Sequence, residues 1–187
     1  VAKALEAGAL KEIDWPTRWK VFGPVPEAAG LLPKNELAAV PDKVTLGDRT
    51  FAPATLTADG PTLDLMPLLD EGAAIPQTAT AYAFTTVDLP ADGRLIVNAA
   101  ADWFMACYVD GTLVYDTLKT GNMKNPVQVT AHTFGVDLKK GKHVLAVRVK
   151  PGSKGWSLTS RAALATDRAA DLHKKYPAKG GLQASKP

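Results

Sequence analysis

From residue 78 to 164 the chain reads as extended, largely apolar segments broken by turn residues, and in residues 142–149 successive side chains sort onto two faces. A period of two puts successive side chains on opposite faces of an extended chain, so this half predicts β-strands. Residues 80–89 form one such run, closed by Pro90, and Ala91-Asp-Gly93 supplies turn residues after it. Residues 94–99 and 103–109 read as two apolar strands separated by Ala100-Ala-Asp102. Asp110-Gly111 then predicts a two-residue hairpin of type I′, because both residues tolerate positive φ, and residues 112–115 return from it. Residues 128–138 are a further extended segment, turned by Lys140-Gly141. In residues 142–149, Val144, Ala146 and Arg148 face one way, and His143, Leu145, Val147 and Val149 face the other. Pro151-Gly-Ser-Lys-Gly155 predicts a loop, and residues 156–164 a last strand.

The first half is patterned differently. Prolines stand at 16, 24, 26, 33, 41, 53, 61, 67 and 76. Proline is excluded from helix interiors, so this region predicts short strands and ordered loops. Residues 18–22 read as a strand, with weaker candidates at 43–46, 50–52 and 62–65. Leu5, Ala9 and Ile13 are spaced i, i+4, i+8, which predicts a short amphipathic helix over residues 1–13. A second short helix is expected over 166–175. Strands every eight to twelve residues, with turn residues between them, point to an antiparallel sandwich or barrel. The chain divides into a helical or loose segment (1–14), a sandwich (15–164), and a short helix with a basic, linker-like tail (165–187).

Composition narrows the function classes. The chain has 187 residues, 46% of them apolar, which suffices for one domain with a core and excludes a disordered chain. No stretch of about 20 residues is free of charges, so no membrane span is expected. One cysteine, Cys107, excludes an intramolecular disulfide framework. The net charge of +3 lies wholly in residues 165–187, where Arg168, Lys174, Lys175, Lys179 and Lys186 face only Asp167 and Asp171. The rest of the chain is neutral and lacks the basic footprint of a nucleic-acid-binding surface. No basic start followed by an apolar core opens the sequence. The valine at position 1 fits a processed or truncated chain.

Catalytic signatures are missing from the sequence. There is no G-x-S-x-G elbow, no phosphate-cradling loop and no G-x-G-x-x-G. His132, His143 and His173 have no metal-ligand spacing. Cys107 lies mid-strand with no neighbouring cation, which predicts an inert, buried thiol. The loose carboxylate groups Asp64, Asp70, Glu71 and Asp110, Asp116 read as turn and cap residues.

Ala101-Asp-Trp-Phe-Met-Ala-Cys-Tyr-Val-Asp-Gly-Thr-Leu-Val-Tyr115 and Asp137-Leu-Lys-Lys-Gly-Lys-His-Val-Leu-Ala-Val-Arg-Val149 together resemble the galactose-binding-like β-sandwich. That fold includes many carbohydrate-binding modules and the jelly-roll accessory domains of glycoside hydrolases. Asp110 and His143 stand where asparagine is commoner, at turn and strand-start positions. Trp19-Lys-Val-Phe-Gly-Pro24 is similar to the opening strand of such domains from polysaccharide-degrading bacteria. The resemblance runs from about Trp19 to Leu164 and its motifs are structural. It implies an all-β jelly roll, a secreted (extracellular or periplasmic) location, and a structural calcium ion in some members. The calcium pattern D-x-[DN]-x-[DN]-G is absent here, and no ligand set can be matched.

Sugar recognition needs an aromatic face to stack on the C–H side of a pyranose, and polar groups for its hydroxyls. The candidates are Trp103, Tyr115, Asp116, Lys119, Asn122, Trp156 and Arg161. Trp103 opens a strand just after a loop, Trp156 follows the glycine loop, and residues 115–122 form a polar loop of the kind that surrounds ligands. The expected function is a non-catalytic carbohydrate-binding module that meets a polysaccharide or oligosaccharide and is associated with a polysaccharide-processing enzyme. The alternative is a structural module that packs on a catalytic domain or partner subunit without binding sugar. Neither nucleic acid nor membrane is an expected partner.

Overall fold

In the computed structural model, which describes residues 10–165, the strands are β1 (Lys11–Glu12), β2 (Arg18–Pro26), β3 (Val44–Leu46), β4 (Arg49–Phe51), β5 (Ala54–Thr57), β6 (Thr62–Asp64), β7 (Ala79–Leu89), β8 (Gly93–Val109), β9 (Thr112–Asp116), β10 (His132–Leu138), β11 (Gly141–Pro151) and β12 (Ser157–Ala165). The pairings between them among the described residues are antiparallel, which makes the expected all-β sandwich. One sheet has the order β5-β2-β7-β11-β8, with β9 on the far side of β8. The other packs β10, β8 and β12, with β1 and β6 both on β12. The long strand β8 belongs to both. Its first part, up to Asp102, pairs with β12, and its second part, from Trp103, pairs with β11.

Alternation explains where the core sits. Leu95, Val97, Ala99, Ala101, Met105, Cys107 and Val109 of β8 all point between the sheets, against Ala81, Ala83, Val87 and Leu89 of β7 and Leu145, Val147 and Val149 of β11. The intervening residues of β7, Tyr82 and Phe84, face outward, yet they too are buried. The proline-rich segment covers them. Its short helix α1 (Lys34–Leu37) and the β3–β4 hairpin bring Leu32, Leu37, Val44 and Leu46 onto Phe22, Val25, Tyr82 and Phe84. Phe22 and Phe84 meet edge to face, 5.7 Å between centroids. This second core is why β7 is buried on both faces over most of its length.

The Asp110-Gly111 hairpin forms as expected, with φ of 48° and 75°. The Asp110 carboxylate accepts from the Val144 N–H (2.9 Å) and from His143 Nδ1 (2.7 Å). Three expectations need correction. Residues 94–99 and 103–109 are one strand, because Ala100 and Ala101 are fully buried and continue the ladder with β12. Residues 128–131 make a turn, closed by Ala131 N–H to Gln128 O (2.8 Å), so β10 starts only at His132. The helix expected over 1–13 lies mostly outside the described residues. Within them, Lys11–Glu12 pairs as a strand with Leu164 and Ala163. The helix expected over 166–175 lies outside the described residues. Among the described residues no helix is long and apolar enough to cross a membrane.

Candidate functional site

A cleft of about 410 Å³ lies where β8 passes from one sheet to the other, lined by Gln77, Asp102, Trp103, Phe104, Asn125 and Lys154, with Val127 and Pro151–Ser153. Trp103 lies between the buried Ala101 and Met105 along β8 and is itself half-buried, facing the cleft. Its peptide bond with Asp102 is cis. One edge of the indole is held by Gly121, whose φ is +67°. A side chain at Gly121 would collide with indole Nε1. Glycine is therefore required there on both backbone and steric grounds.

Gly121 is brought to the indole by an anchored turn. Thr117 N–H donates to Met105 O (2.8 Å), and the Met105 N–H donates to Thr117 Oγ1 (3.0 Å). Gly121 N–H then donates back to Thr117 O (2.7 Å). The next residue, Asn122, is buried. Its Nδ2 donates to Lys124 O (2.7 Å), and its Oδ1 has no partner. Its backbone carbonyl accepts from His132 Nε2 (3.1 Å). A carbonyl can only accept, so His132 carries its proton on Nε2, and Nδ1 accepts from the Tyr115 hydroxyl (2.9 Å). Burial lowers the His132 pKa below the ordinary value, and the charge of Lys124 lowers it further, against the opposing hydrogen bond to Asn122. Neutral His132 thus ties β10 to the loop that buttresses Trp103.

Asp102 is held differently. Its two carboxylate oxygens lie against the glycines of the Gly152–Gly155 loop, where a side chain at either position would collide with them. That loop closes on itself through Gly152 N–H to Gly155 O (3.1 Å), and Gln77 Nε2 donates to Gly152 O (3.0 Å). Burial raises the Asp102 pKa above the usual carboxylate value. Phe104, the third residue in this run, has Lys150 Nζ 5.5 Å over its ring.

Of the seven residues expected in one site, the structure brings Trp103 to the cleft and places Asn122 and Tyr115 in the support behind it. Tyr115 is buried, stacked on Phe134 with centroids 4.7 Å apart, and so offers no face to a sugar. Trp156 is 1% exposed, and its Nε1 donates to Val149 O (3.2 Å), which corrects the expectation of a rim platform. Asp116 is half-buried and caps its own turn by accepting from Leu118 N–H (3.2 Å). Lys119 is exposed and does not line the cleft. Arg161 lies on the outer face of the β12 sheet, where it borders a separate hollow of about 100 Å³ with Glu12 and Asn98. Arg148 is an ion-pair residue, with Nη2 3.1 Å from Glu27 Oε1.

Asp102, Gln77, Phe104, Asn125 and Lys154 were not singled out from the sequence. A signal existed for Asp102, a charged residue inside an apolar strand run and directly before a tryptophan. Cys107 is buried, and burial, with the Asp116 charge behind it, pushes its thiol up to about 12, so it is not a nucleophile at neutral pH. Among the described residues no three His, Cys, Asp or Glu side chains converge, so the calcium ion allowed by the resemblance finds no cage of such ligands there.

No family model matches the chain, and no curated protein does. Among solved structures, it is similar to part of a β-glucosidase from Kluyveromyces marxianus in complex with glucose (TM-score 0.49, 12% identity), covering 89% of this chain and 20% of that one. It is also similar to part of a glycosyl hydrolase family 2 member from Bacteroides cellulosilyticus (TM-score 0.39, 14% identity, 82% of this chain and 20% of that one). A third is an α-L-rhamnosidase from Streptomyces avermitilis complexed with L-rhamnose (TM-score 0.37, 16% identity, 84% and 21%). The chain spans about a fifth of the length of these structures.

Proposed function

We propose that this domain is a non-catalytic carbohydrate-binding module of the galactose-binding-like class, and that it takes a sugar ring in the cleft beside Trp103. The observation that carries the reading is the cleft itself. A half-buried indole stands next to a carboxylate, with amides and an ammonium from other segments around them. That is the combination a pyranose needs: a flat apolar face, and polar groups spaced around it. The volume falls in the range of roughly 300–1,000 Å³ common for small-ligand sites.

The binding role is favoured over hydrolysis by the single carboxylate in that lining. Glycoside cleavage uses a pair, roughly 5–10 Å apart on either side of the bond. The module acts outside the cytoplasm on this reading, alongside a polysaccharide-processing enzyme. Affinity electrophoresis in gels containing galactomannan, xyloglucan, mixed-linkage β-glucan or polygalacturonate tests it. The wild type is retarded on at least one, and Trp103→Ala abolishes the retardation while still unfolding cooperatively. A wild type that runs freely in every gel removes the reading and leaves the packing module in its place.

A further inference from the structure

We propose that Asp102 sets the specificity of the cleft by accepting two adjacent hydroxyls of a neutral sugar ring. The inference rests on the carbohydrate reading above and names the class of sugar.

Several other aspartates in the fold have a structural task. Asp64 accepts from Met66 N–H (2.9 Å), Asp92 from Lys140 N–H (2.8 Å), Asp110 from Val144 N–H (2.9 Å) and Asp116 from Leu118 N–H (3.2 Å). Each caps a turn or anchors a neighbouring segment. Asp42 and Asp137 pair with Lys20 and Arg94. Asp102 has no such task. It forms no hydrogen bond and no ion pair among the described residues, although it is half-buried. The loop it touches is already closed by its own backbone and by Gln77. Yet Gly152 and Gly155 leave the carboxylate the space that any side chain would take. A partly desolvated carboxylate without a donor costs the free domain stability. A ligand that supplies two O–H donors offsets that cost.

Charge selects among such ligands. The cleft lining holds one carboxylate, Asp102, and one ammonium, Lys154, with amides from Gln77 and Asn125. The lining is neutral, so it favours a neutral ring. A uronic acid would bring a second negative charge to Asp102. An amino sugar would bring a second positive charge to Lys154. Two hydroxyls on adjacent ring carbons match the two oxygens of one carboxylate, as the fork of a guanidinium does.

The test uses the whole chain and Asp102→Asn, which keeps the shape and loses the charge. Retardation is measured on galactomannan, xyloglucan, mixed-linkage β-glucan, polygalacturonate and chitosan. The wild type binds a neutral polysaccharide, and its retardation is unchanged from about 0.01 M to about 1 M NaCl, a range over which charge–charge attraction is screened. Asp102→Asn weakens that binding by about ten-fold or more, as loss of a charged acceptor does. It also narrows the gap between neutral polysaccharide and polygalacturonate, which a purely structural aspartate would not do. If Asp102→Asn binds as the wild type does while Trp103→Ala does not, the cleft is right and the role of Asp102 is wrong. Preferential binding of chitosan or polygalacturonate by the wild type also overturns it. Should Asp102→Asn fail to fold, Asp102→Ser takes its place with the same expected loss, and neutral-polysaccharide binding by that variant within about three-fold of the wild type overturns the role.

Discussion

Replacing Trp156 by alanine separates a structural tryptophan from a functional one. The side chain is 1% exposed and lies in the core between the sheets, among Leu63, Leu65, Met105, Val149 and Leu158. Truncating a buried aromatic to alanine costs about 3–5 kcal/mol, through lost burial and the cavity that remains. The lost hydrogen bond adds little. Val149 O, which accepts from the indole at 3.2 Å, also accepts from Thr80 Oγ1 at 3.1 Å, so it is not orphaned. With a urea m-value of about 2 kcal/mol/M for a domain of this size, the unfolding midpoint falls by roughly 1.5–2.5 M. Trp156→Phe fills most of the cavity, lowers the midpoint by less than about 1 M, and leaves polysaccharide binding unchanged. Equilibrium urea unfolding, followed by circular dichroism, measures both. A midpoint drop below about 0.5 M for the alanine variant would show that Trp156 is not packed as described.

The two described histidines predict opposite pH slopes. His132 has its pKa lowered by burial and must be neutral to hold Tyr115 and Asn122. Its contribution is complete above the unfolded value of about 6.5 and is lost as pH falls through the folded value, so His132→Gln flattens the acid side of the midpoint–pH curve. At His143 burial lowers the pKa, but the hydrogen bond to Asp110, the bond to Lys139 O and the nearby acidic charges outweigh it, and the net shift is upward. Its contribution is therefore present below about 6.5 and lost as pH rises through the folded value, so His143→Gln removes a slope on the neutral-to-alkaline side. Gly121→Ala meets both a positive φ and the Trp103 indole. It costs about 1–3 kcal/mol in urea unfolding and weakens polysaccharide binding by displacing the ring, whereas unchanged binding would show that Gly121 does not position it.

The fold was legible wherever alternation was long. Residues 80–89 and 142–149 are long segments that end in turn residues, so both strands follow, as does the parity of 142–149, and Asp110-Gly111 gives its hairpin. The break expected at Ala100-Ala-Asp102 failed because alanine signals neither strand nor turn. Only the β12 ladder shows that the strand runs on. Trp156 was misplaced for a related reason, because the flexible-looking loop before it says nothing of where the next side chain points. Position in the chain placed Tyr115 in a polar loop, but stacking on Phe134 draws it into the core. The site was half legible. Trp103 could be picked as an aromatic at a strand opening. Asp102 carries in sequence only a charge inside an apolar run before a tryptophan, whereas its half-burial without a partner among the described residues, against two glycines fifty residues away, shows only in three dimensions. Gln77, Asn125 and Lys154 come from loops whose convergence depends on the crossing of β8 between the sheets.

The central claim is that the Trp103 cleft binds sugar. Wild type, Trp103→Ala and Trp156→Phe run side by side through gels cast with galactomannan, xyloglucan, mixed-linkage β-glucan or polygalacturonate test it most directly. The account predicts that wild type and Trp156→Phe are retarded equally on a neutral polysaccharide, and that Trp103→Ala migrates as it does in a gel without polysaccharide. Retardation of Trp103→Ala equal to that of the wild type would contradict it.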